Sequence, residues 1–361
     1  MANKQPLIRI TKNDNRPLWQ AVIIRAIFIV LALVVSSAFI YSVTKLNPAQ
    51  IFASMYKGAF GSARRTWITL RDAAFMLIVA LALTPAFKMR FWNTGAEGQA
   101  LIGGLAAGAW MIYFSGKIPT ALLIVLMLVS AIAIGALWGF IPGYFKAKYE
   151  TNETLFTLMM NYIAIQIVEY FVDIWDTKGS HSVGIINMES EIGWLPNLFN
   201  NQYVLIVIIA LIIMIAIFVY LTFSKHGYEI TVIGESVNTA KYAGINVPKV
   251  IMRTMALSGA ICGIAGFVQV SGISHTVSKG IIGGRGFTSI IVAWLSKLNP
   301  FIMTVFSVFL VFLEKGATQI ASDFNFNQYA SSIVTGIMLL FILASEFFIN
   351  YNVIFRKKED R

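Results

Sequence analysis

Residues 225–253 read KHGYEITVIGESVNTAKYAGINVPKVIMR, a long polar stretch between two strongly apolar segments. The stretch contains the basic side chains Lys225, Lys241, Lys249 and Arg253. Loops of membrane proteins that face the cytoplasm carry an excess of lysine and arginine. The stretch therefore predicts a cytoplasmic loop in a protein whose neighbouring segments cross a membrane.

A short helix is predicted inside this loop, over residues 237–243. Ser236 suits the N-cap of that helix, Gly244 suits its C′ position, and Pro248 prevents the next helix from starting too early. A capped helix held at the membrane surface has a suitable shape for docking into the groove of a partner protein. The alternative is a solvated connector, which is the commoner role of such loops.

The composition indicates a membrane protein. Hydrophobic residues make up 57% of the chain and charged residues 12%, whereas soluble domains average about half and about a quarter. The single cysteine, Cys262, excludes a disulfide scaffold. The net charge of +11 comes from basic residues spread singly over short loops and both termini. Anionic lipid explains that charge better than nucleic acid, which would require a basic patch interleaved with aromatic residues.

The apolar segments predict an all-α polytopic membrane protein with about ten transmembrane helices, within a range of about eight to eleven. The predicted spans are residues 21–43, 69–88, 100–113, 119–144, 154–172, 203–223, 251–270, 287–298, 301–314 and 329–348. The distribution of lysine and arginine places both termini in the cytoplasm. Cytoplasmic tails, residues 1–20 and 351–361, flank one transmembrane domain, residues 21–350, whose largest outer loop is 173–202.

Four stretches between residues 91 and 300 match the motifs of a known family in the same order. They are residues 91–99, FWNTGAEGQ; Asn152-Glu153 with LMMNY at 158–162; residues 227–245, GYEITVIGESVNTAKYAGI; and residues 286–293, GFTSIIVA, with Leu298-Asn299-Pro300. In these stretches the chain resembles the permeases of bacterial ABC importers, in the superfamily for simple sugars and branched-chain amino acids. The resemblance is closest to the nucleoside-uptake branch.

The resemblance implies a permease subunit of an ATP-driven importer in the bacterial cytoplasmic membrane. Its implied partners are a separate ABC ATPase, a second permease subunit in a heterodimer or a homodimer, and an extracytoplasmic substrate-binding lipoprotein. Nucleosides are the preferred substrate, and simple sugars are the alternative. The helix in the cytoplasmic loop would receive the motion of the ATPase. The implied coupling residues are Gly234, Glu235, Ser236, Asn238, Ala240, Tyr242, Ala243 and Gly244.

Residues 93–99 are the main candidates for the translocation pathway. Gly95 and Gly98 flank Glu97, so the helix is expected to break there, and irregular backbone at membrane depth lines a cavity or lies inside protein. A plain cytoplasmic turn is the alternative. The full set of pathway candidates is Asn93, Glu97, Gln99, Asn161, Phe287 and Thr288. Asparagine in a membrane helix, as at Asn161, more often forms a hydrogen bond between helices than a contact with substrate. An aromatic residue such as Phe287 more often packs in the protein or contacts lipid.

Catalysis by this chain is not expected. The sequence contains neither the G-x-x-x-x-G-K-[ST] phosphate loop nor Cys-x-x-Cys, and His181, His226 and His275 do not have metal-ligand spacing. We therefore expect no cofactor or metal on this chain, with ATP used by a partner. An ion-driven secondary carrier is the main rival, and it would depend on Glu97 and Glu153 as ionisable residues. An integral membrane enzyme is disfavoured.

Small residues also predict where helices pack closely. The pattern Gly-x-x-x-Gly places two glycines on one helix face, which allows the backbones of two helices to approach in lipid. It occurs at Gly104 and Gly108, Gly135 and Gly139, and Gly259 and Gly263.

Overall fold

The computed structural model describes residues 8–12, 17–45, 47–176, 179, 182–324 and 328–355. The helices are α1 Leu18–Thr44, α2 Pro48–Phe60, α3 Ala63–Lys88, α4 Ala96–Phe114, α5 Thr120–Tyr149, α6 Glu153–Trp175, α7 Val204–Phe223, α8 Lys225–Glu235, α9 Val237–Tyr242, α10 Val247–Val268, α11 Arg285–Leu295, α12 Pro300–Asp323 and α13 Gln328–Asn350. A π-helical turn, Gln269–Ser274, extends α10. Two short strands are β1 Ile8–Lys12 and β2 Tyr351–Phe355.

The predicted helical, multi-pass architecture is present, and each of the ten predicted spans coincides with a helix. Eight helices among the described residues are long and apolar enough to cross a membrane. Helix α4 is shorter and mostly buried, and α11 has only 11 residues. The predicted ninth span, residues 301–314, was too short because α12 continues to Asp323.

The all-α prediction was incomplete because β1 and β2 form an antiparallel two-stranded sheet. Arg9 pairs with Ile354 at the centre of the register. Both segments are rich in β-branched residues, which favour strands, and pairing satisfies their backbone N–H and C=O groups. Parts of the predicted tails therefore have regular structure, while residues 1–7, 13–16 and 356–361 lie outside the described residues.

The first of two compact units consists of residues up to 66 and from 312 onwards. Its main contact is between α1 and α13. Arg25 and Glu346 join these helices through an ion pair of 2.6 Å, and the Phe28 ring lies 5.2 Å from the Phe348 ring.

The second unit spans residues 67–311, and α10 packs against α5 and α4 at its centre. The predicted glycine contacts are confirmed in the packing of α5 and α10. A Cβ atom added to Gly259 would lie 2.9 Å from Gly139 Cα, and one added to Gly135 would lie 2.8 Å from Gly263 Cα. The close approach therefore excludes any larger side chain unless the helices move apart.

Candidate functional site

The predicted helix in the cytoplasmic stretch is present as α9. Ser236 caps it, with its Oγ accepting a hydrogen bond from the Thr239 N–H at 3.2 Å. Gly244 follows the helix with a φ of +74°, a conformation that glycine adopts without steric cost. Helix α10 begins at Val247, one residue before Pro248, so proline occupies the first turn of the new helix.

The sequence prediction was wrong for residues 225–235, which form α8 instead of a loop. Ser224 caps this helix, because its Oγ accepts from the Gly227 N–H at 2.9 Å. The His226 side chain is buried and contacts the Tyr220 hydroxyl and the Thr254 hydroxyl. Burial lowers the pKa of His226, and the nearby Arg253 lowers it further. The His226 side chain therefore holds α8 against the end of α7 and the start of α10.

Helix α9 exposes most of the predicted coupling residues while one residue anchors it. The Ala240 side chain is fully buried, whereas Tyr242 is 94% exposed. Glu235, Asn238, Ala243 and Gly244 are also exposed, Ser236 is partly exposed, and Gly234 is buried. A fixed backbone with outward side chains is the arrangement that docking requires.

A cavity of about 240 Å³ lies beside this segment. Its walls combine residues 233–237 with Arg90 and Phe91, which follow α3. Lys146 at the end of α5 and Glu153 at the start of α6 form another wall, joined by an ion pair of 2.7 Å. The ends of α3 and α5 and the start of α6 thus meet beside residues 233–237 in the second unit.

Gly234 fixes the position of α8 against α3. A Cβ atom at this residue would collide with the Lys88 carbonyl oxygen and would lie 3.5 Å from Met89 Cα. Only glycine fits without a shift of backbone, so α8 and the end of α3 are in direct backbone contact.

Three of the pathway candidates form a buried hydrogen-bonded cluster. Asn93 Nδ2 donates to Ser258 Oγ at 3.0 Å, and Asn93 Oδ1 accepts from the Gly95 N–H at 2.9 Å. The side chains of Asn93 and Gln99 also contact each other at 3.3 Å. Asn161 contacts the same turn, because its Oδ1 accepts from the Gly98 N–H and its Nδ2 donates to the Thr94 carbonyl, both at 2.8 Å.

Glu97 holds the start of α11. Its carboxylate accepts from the Gly284 N–H at 2.9 Å and from the Gly286 N–H at 2.7 Å. The approach is close, since a Cβ atom on Gly286 would lie 2.6 Å from the Glu97 nitrogen. A carboxylate at a helix N-terminus is stabilised by the free N–H groups and by the helix dipole.

The remaining two candidates, Phe287 and Thr288, lie in the first turn of α11. Phe287 is exposed and Thr288 is partly exposed, in contrast to the buried Asn93, Gln99 and Asn161. The structure therefore joins residues 93–99 to α6 and to the start of α11. Sequence reasoning missed Gly284 as a partner of Glu97, although the Gly283-Gly284 pair before α11 was visible as a turn signal.

Comparison with known proteins gives a match over most of the chain. The family model described as "branched-chain amino acid transport system / permease component" matches residues 66–343. The guanosine ABC transporter permease protein NupP of Bacillus subtilis is 30% identical, over 86% of this chain and 90% of its own length. The nucleoside ABC transporter permease protein NupB of Lactococcus lactis is 28% identical, over 82% and 84%. A glucose ABC transporter permease of Haloferax volcanii is 25% identical, over 93% and 91%.

Proposed function

This chain belongs to the family of permease components of branched-chain amino acid transport systems, and from that premise we propose that it forms the membrane pathway of an ATP-driven nucleoside importer. The guanosine and nucleoside permeases among its relatives support the substrate class. The chain is a multi-pass membrane protein, and we place it in the bacterial cytoplasmic membrane.

The observation that carries the coupling role is the exposed helix α9 on a fixed base. Tyr242 projects from a helix whose Ala240 is fully buried, and α8 links that helix to the end of α3 through Gly234. An exposed aromatic on a rigid support is typical of residues that contribute most to a protein interface. A separate ABC ATPase binds this surface, and ATP is bound and hydrolysed on that partner.

Movement of the ATPase reaches the membrane through the contacts of α8. Because α8 touches α3, α7 and α10, a displacement of α9 acts on three helices at once. We propose that a second permease subunit completes the pathway and that an extracytoplasmic lipoprotein delivers the substrate.

The predicted pathway residues divide into two roles in this proposal. Asn93, Gln99 and Asn161 support the wall of the pathway, since their side chains are buried and hydrogen-bonded to other helices. Glu97 positions α11 through its two backbone hydrogen bonds. Phe287 and Thr288 face the pathway on the first turn of α11.

A simple-sugar importer is the second candidate, favoured by the glucose permease among the relatives. An ion-driven carrier has less support. Glu97 caps a helix and Glu153 forms an ion pair with Lys146, so both acidic residues on which such a carrier would depend have structural partners.

The test is uptake into proteoliposomes that contain the complete transporter. We expect uptake of guanosine that requires ATP and exceeds uptake of glucose. ATP-driven uptake of glucose without guanosine would select the sugar importer. Uptake that follows an ion gradient in the absence of ATP would overturn the ATP-driven mechanism.

Two variants test the coupling surface. Tyr242→Ala and Ala243→Asp remove an aromatic contact and add a charge to an exposed surface, and each should weaken ATPase binding about tenfold or more. Tyr41→Ala, at another exposed tyrosine, is the control and should leave binding unchanged. Normal ATPase binding and uptake in both α9 variants would contradict a docking role for this helix.

A further inference from the structure

Helix α6 exposes a polar and aromatic stripe in its membrane-spanning part. Tyr162, Gln166 and Tyr170 follow one another at intervals of four residues, so they lie on one helix face. All three side chains are exposed. Together with Ile163, Ile167 and Phe171 they line an open groove of about 660 Å³.

This face differs in chemistry from the exposed face of α7. The exposed residues in the middle of α7 are aliphatic, namely Leu211, Ile212, Ile215 and Val219. Gln166, in contrast, places a carboxamide near the middle of α6. The carboxamide forms no hydrogen bond with the part of the chain that the structure describes. Exposure of an unpaired amide to hydrocarbon is unfavourable, which argues against lipid as the neighbour of this face.

An accessible ion pair lies next to the groove. Glu169, three residues after Gln166, forms an ion pair of 2.7 Å with Lys279, and both side chains are accessible. An accessible ion pair within a membrane-spanning helix requires solvation or a polar neighbour. The ion pair next to Gln166 therefore favours a polar environment at this end of the groove.

The chemistry of the stripe matches a nucleobase. Tyrosine rings provide flat faces on which a planar base can stack. Such stacking is possible with any nucleobase because every base has a π-face. The carboxamide of glutamine offers a donor and an acceptor side by side, a pattern that pairs with a base edge. We propose that the groove at Tyr162, Gln166 and Tyr170 binds the nucleobase of the transported nucleoside. The inference rests on the proposed function and adds the residues that recognise the substrate.

Uptake kinetics test the role of Gln166. Gln166→Leu keeps a similar volume but removes both the donor and the acceptor, so the KM for nucleoside uptake should rise about tenfold or more. Ile215→Leu on α7 is the control and should leave the KM unchanged. An unchanged KM in Gln166→Leu would overturn the proposal.

Labelling of single cysteines tests whether the groove is an aqueous path. Ile163 in the groove is 49% exposed and Ile215 on α7 is 54% exposed, so the two form a matched pair. The native Cys262 is fully buried and can remain in place. In the complete transporter, a charged, membrane-impermeant thiol reagent should modify Ile163→Cys about tenfold faster than Ile215→Cys. Guanosine should slow the modification of Ile163→Cys.

The outcomes separate the possible occupants of the groove. Equal, slow labelling of both variants would place the groove in lipid, and cross-linking of Ile163→Cys to a second permease would make it a subunit interface. Either result overturns the proposal. If glucose protects Ile163→Cys and guanosine does not, the nucleobase site is rejected together with the nucleoside substrate. If the wild-type protein takes up nucleosides but guanosine gives no protection, only the proposed site fails.

Discussion

Replacement of Glu97 by glutamine separates a structural role of this residue from direct contact with substrate. Both carboxylate oxygens accept backbone hydrogen bonds, from the Gly284 N–H at 2.9 Å and the Gly286 N–H at 2.7 Å. Glutamine has a single acceptor oxygen, so its NH2 group would face one of these two N–H donors. Glu97→Gln therefore loses one charge-assisted hydrogen bond, and leaves one buried N–H group without an acceptor.

The magnitude follows from those two consequences. A hydrogen bond to a charged group contributes about 1.5–3 kcal/mol, and a buried donor without a partner is unfavourable by a similar amount. The lost hydrogen bond and the donor without a partner concern the same N–H group, so the two effects are not added. We expect a total decrease in the free energy of unfolding of about 2–3 kcal/mol. With an unfolding entropy of about 2.1 cal/mol/K per residue over a chain of this size, the apparent Tm should fall by about 3–4 °C.

The assay is thermal unfolding of the purified complex, read together with uptake by the fraction that remains folded. Glu235→Gln changes an exposed carboxylate in the same way and should alter stability by less than about 0.5 kcal/mol. A wild-type Tm for Glu97→Gln would refute the structural role. If uptake were lost at that unchanged Tm, Glu97 would contact the substrate instead of positioning α11.

Two further predictions concern stability. Gly259→Ala forces α5 and α10 apart, because its Cβ would lie 2.9 Å from Gly139 Cα, and should destabilise the protein by about 1–3 kcal/mol in thermal unfolding. Gly336→Ala, where the added atom meets nothing within 4 Å, should not destabilise it. His275 stacks on Trp194 with ring centroids 3.7 Å apart, and burial, reinforced by Arg71, lowers its pKa from 6.5 to about 4. As pH falls, His275 is therefore protonated in the unfolded chain before it is protonated in the folded protein. Tm should be constant above pH 6.5 and decrease as pH falls towards 4. His275→Phe should show less of this decrease, and identical pH profiles for the variant and the wild type would contradict a role of His275.

Local signals in the sequence were sufficient for the coupling segment. Ser236 and Gly244 identified both ends of α9, because a capping hydroxyl and a glycine with positive φ act within a few residues. The same approach failed at residues 225–235, where the apolar positions of α8 are few and the helix depends on packing of His226 between α7 and α10. Helix stability there comes from tertiary contacts more than from local propensity.

The pathway candidates show the limit of local patterns more clearly. Residues 93–99 were recognised as an interrupted helix, but their partners lie far away in the chain. Glu97 is separated from Gly284 by 187 positions, and Asn93 from Ser258 by 165. The periodicity of hydrophobic residues carries no information about such distant pairs. The sequence therefore could not distinguish whether residues 93–99 form a buried scaffold or a surface open to the substrate.

The sequence alone determined that this is a helical membrane protein, because apolar segments of sufficient length and few charges are required to cross a bilayer. It also identified the glycine faces at which α5 and α10 pack, since only small residues allow two backbones to approach so closely, but the pairing of these two helices came from the structure. The tertiary structure decided which polar groups are satisfied inside the protein and which remain exposed. Asn161 and Gln166 lie five residues apart on α6, yet the first is buried against the turn at Thr94 and the second opens into the groove. Burial depends on which helices pack on each face, and that arrangement is a property of the folded chain.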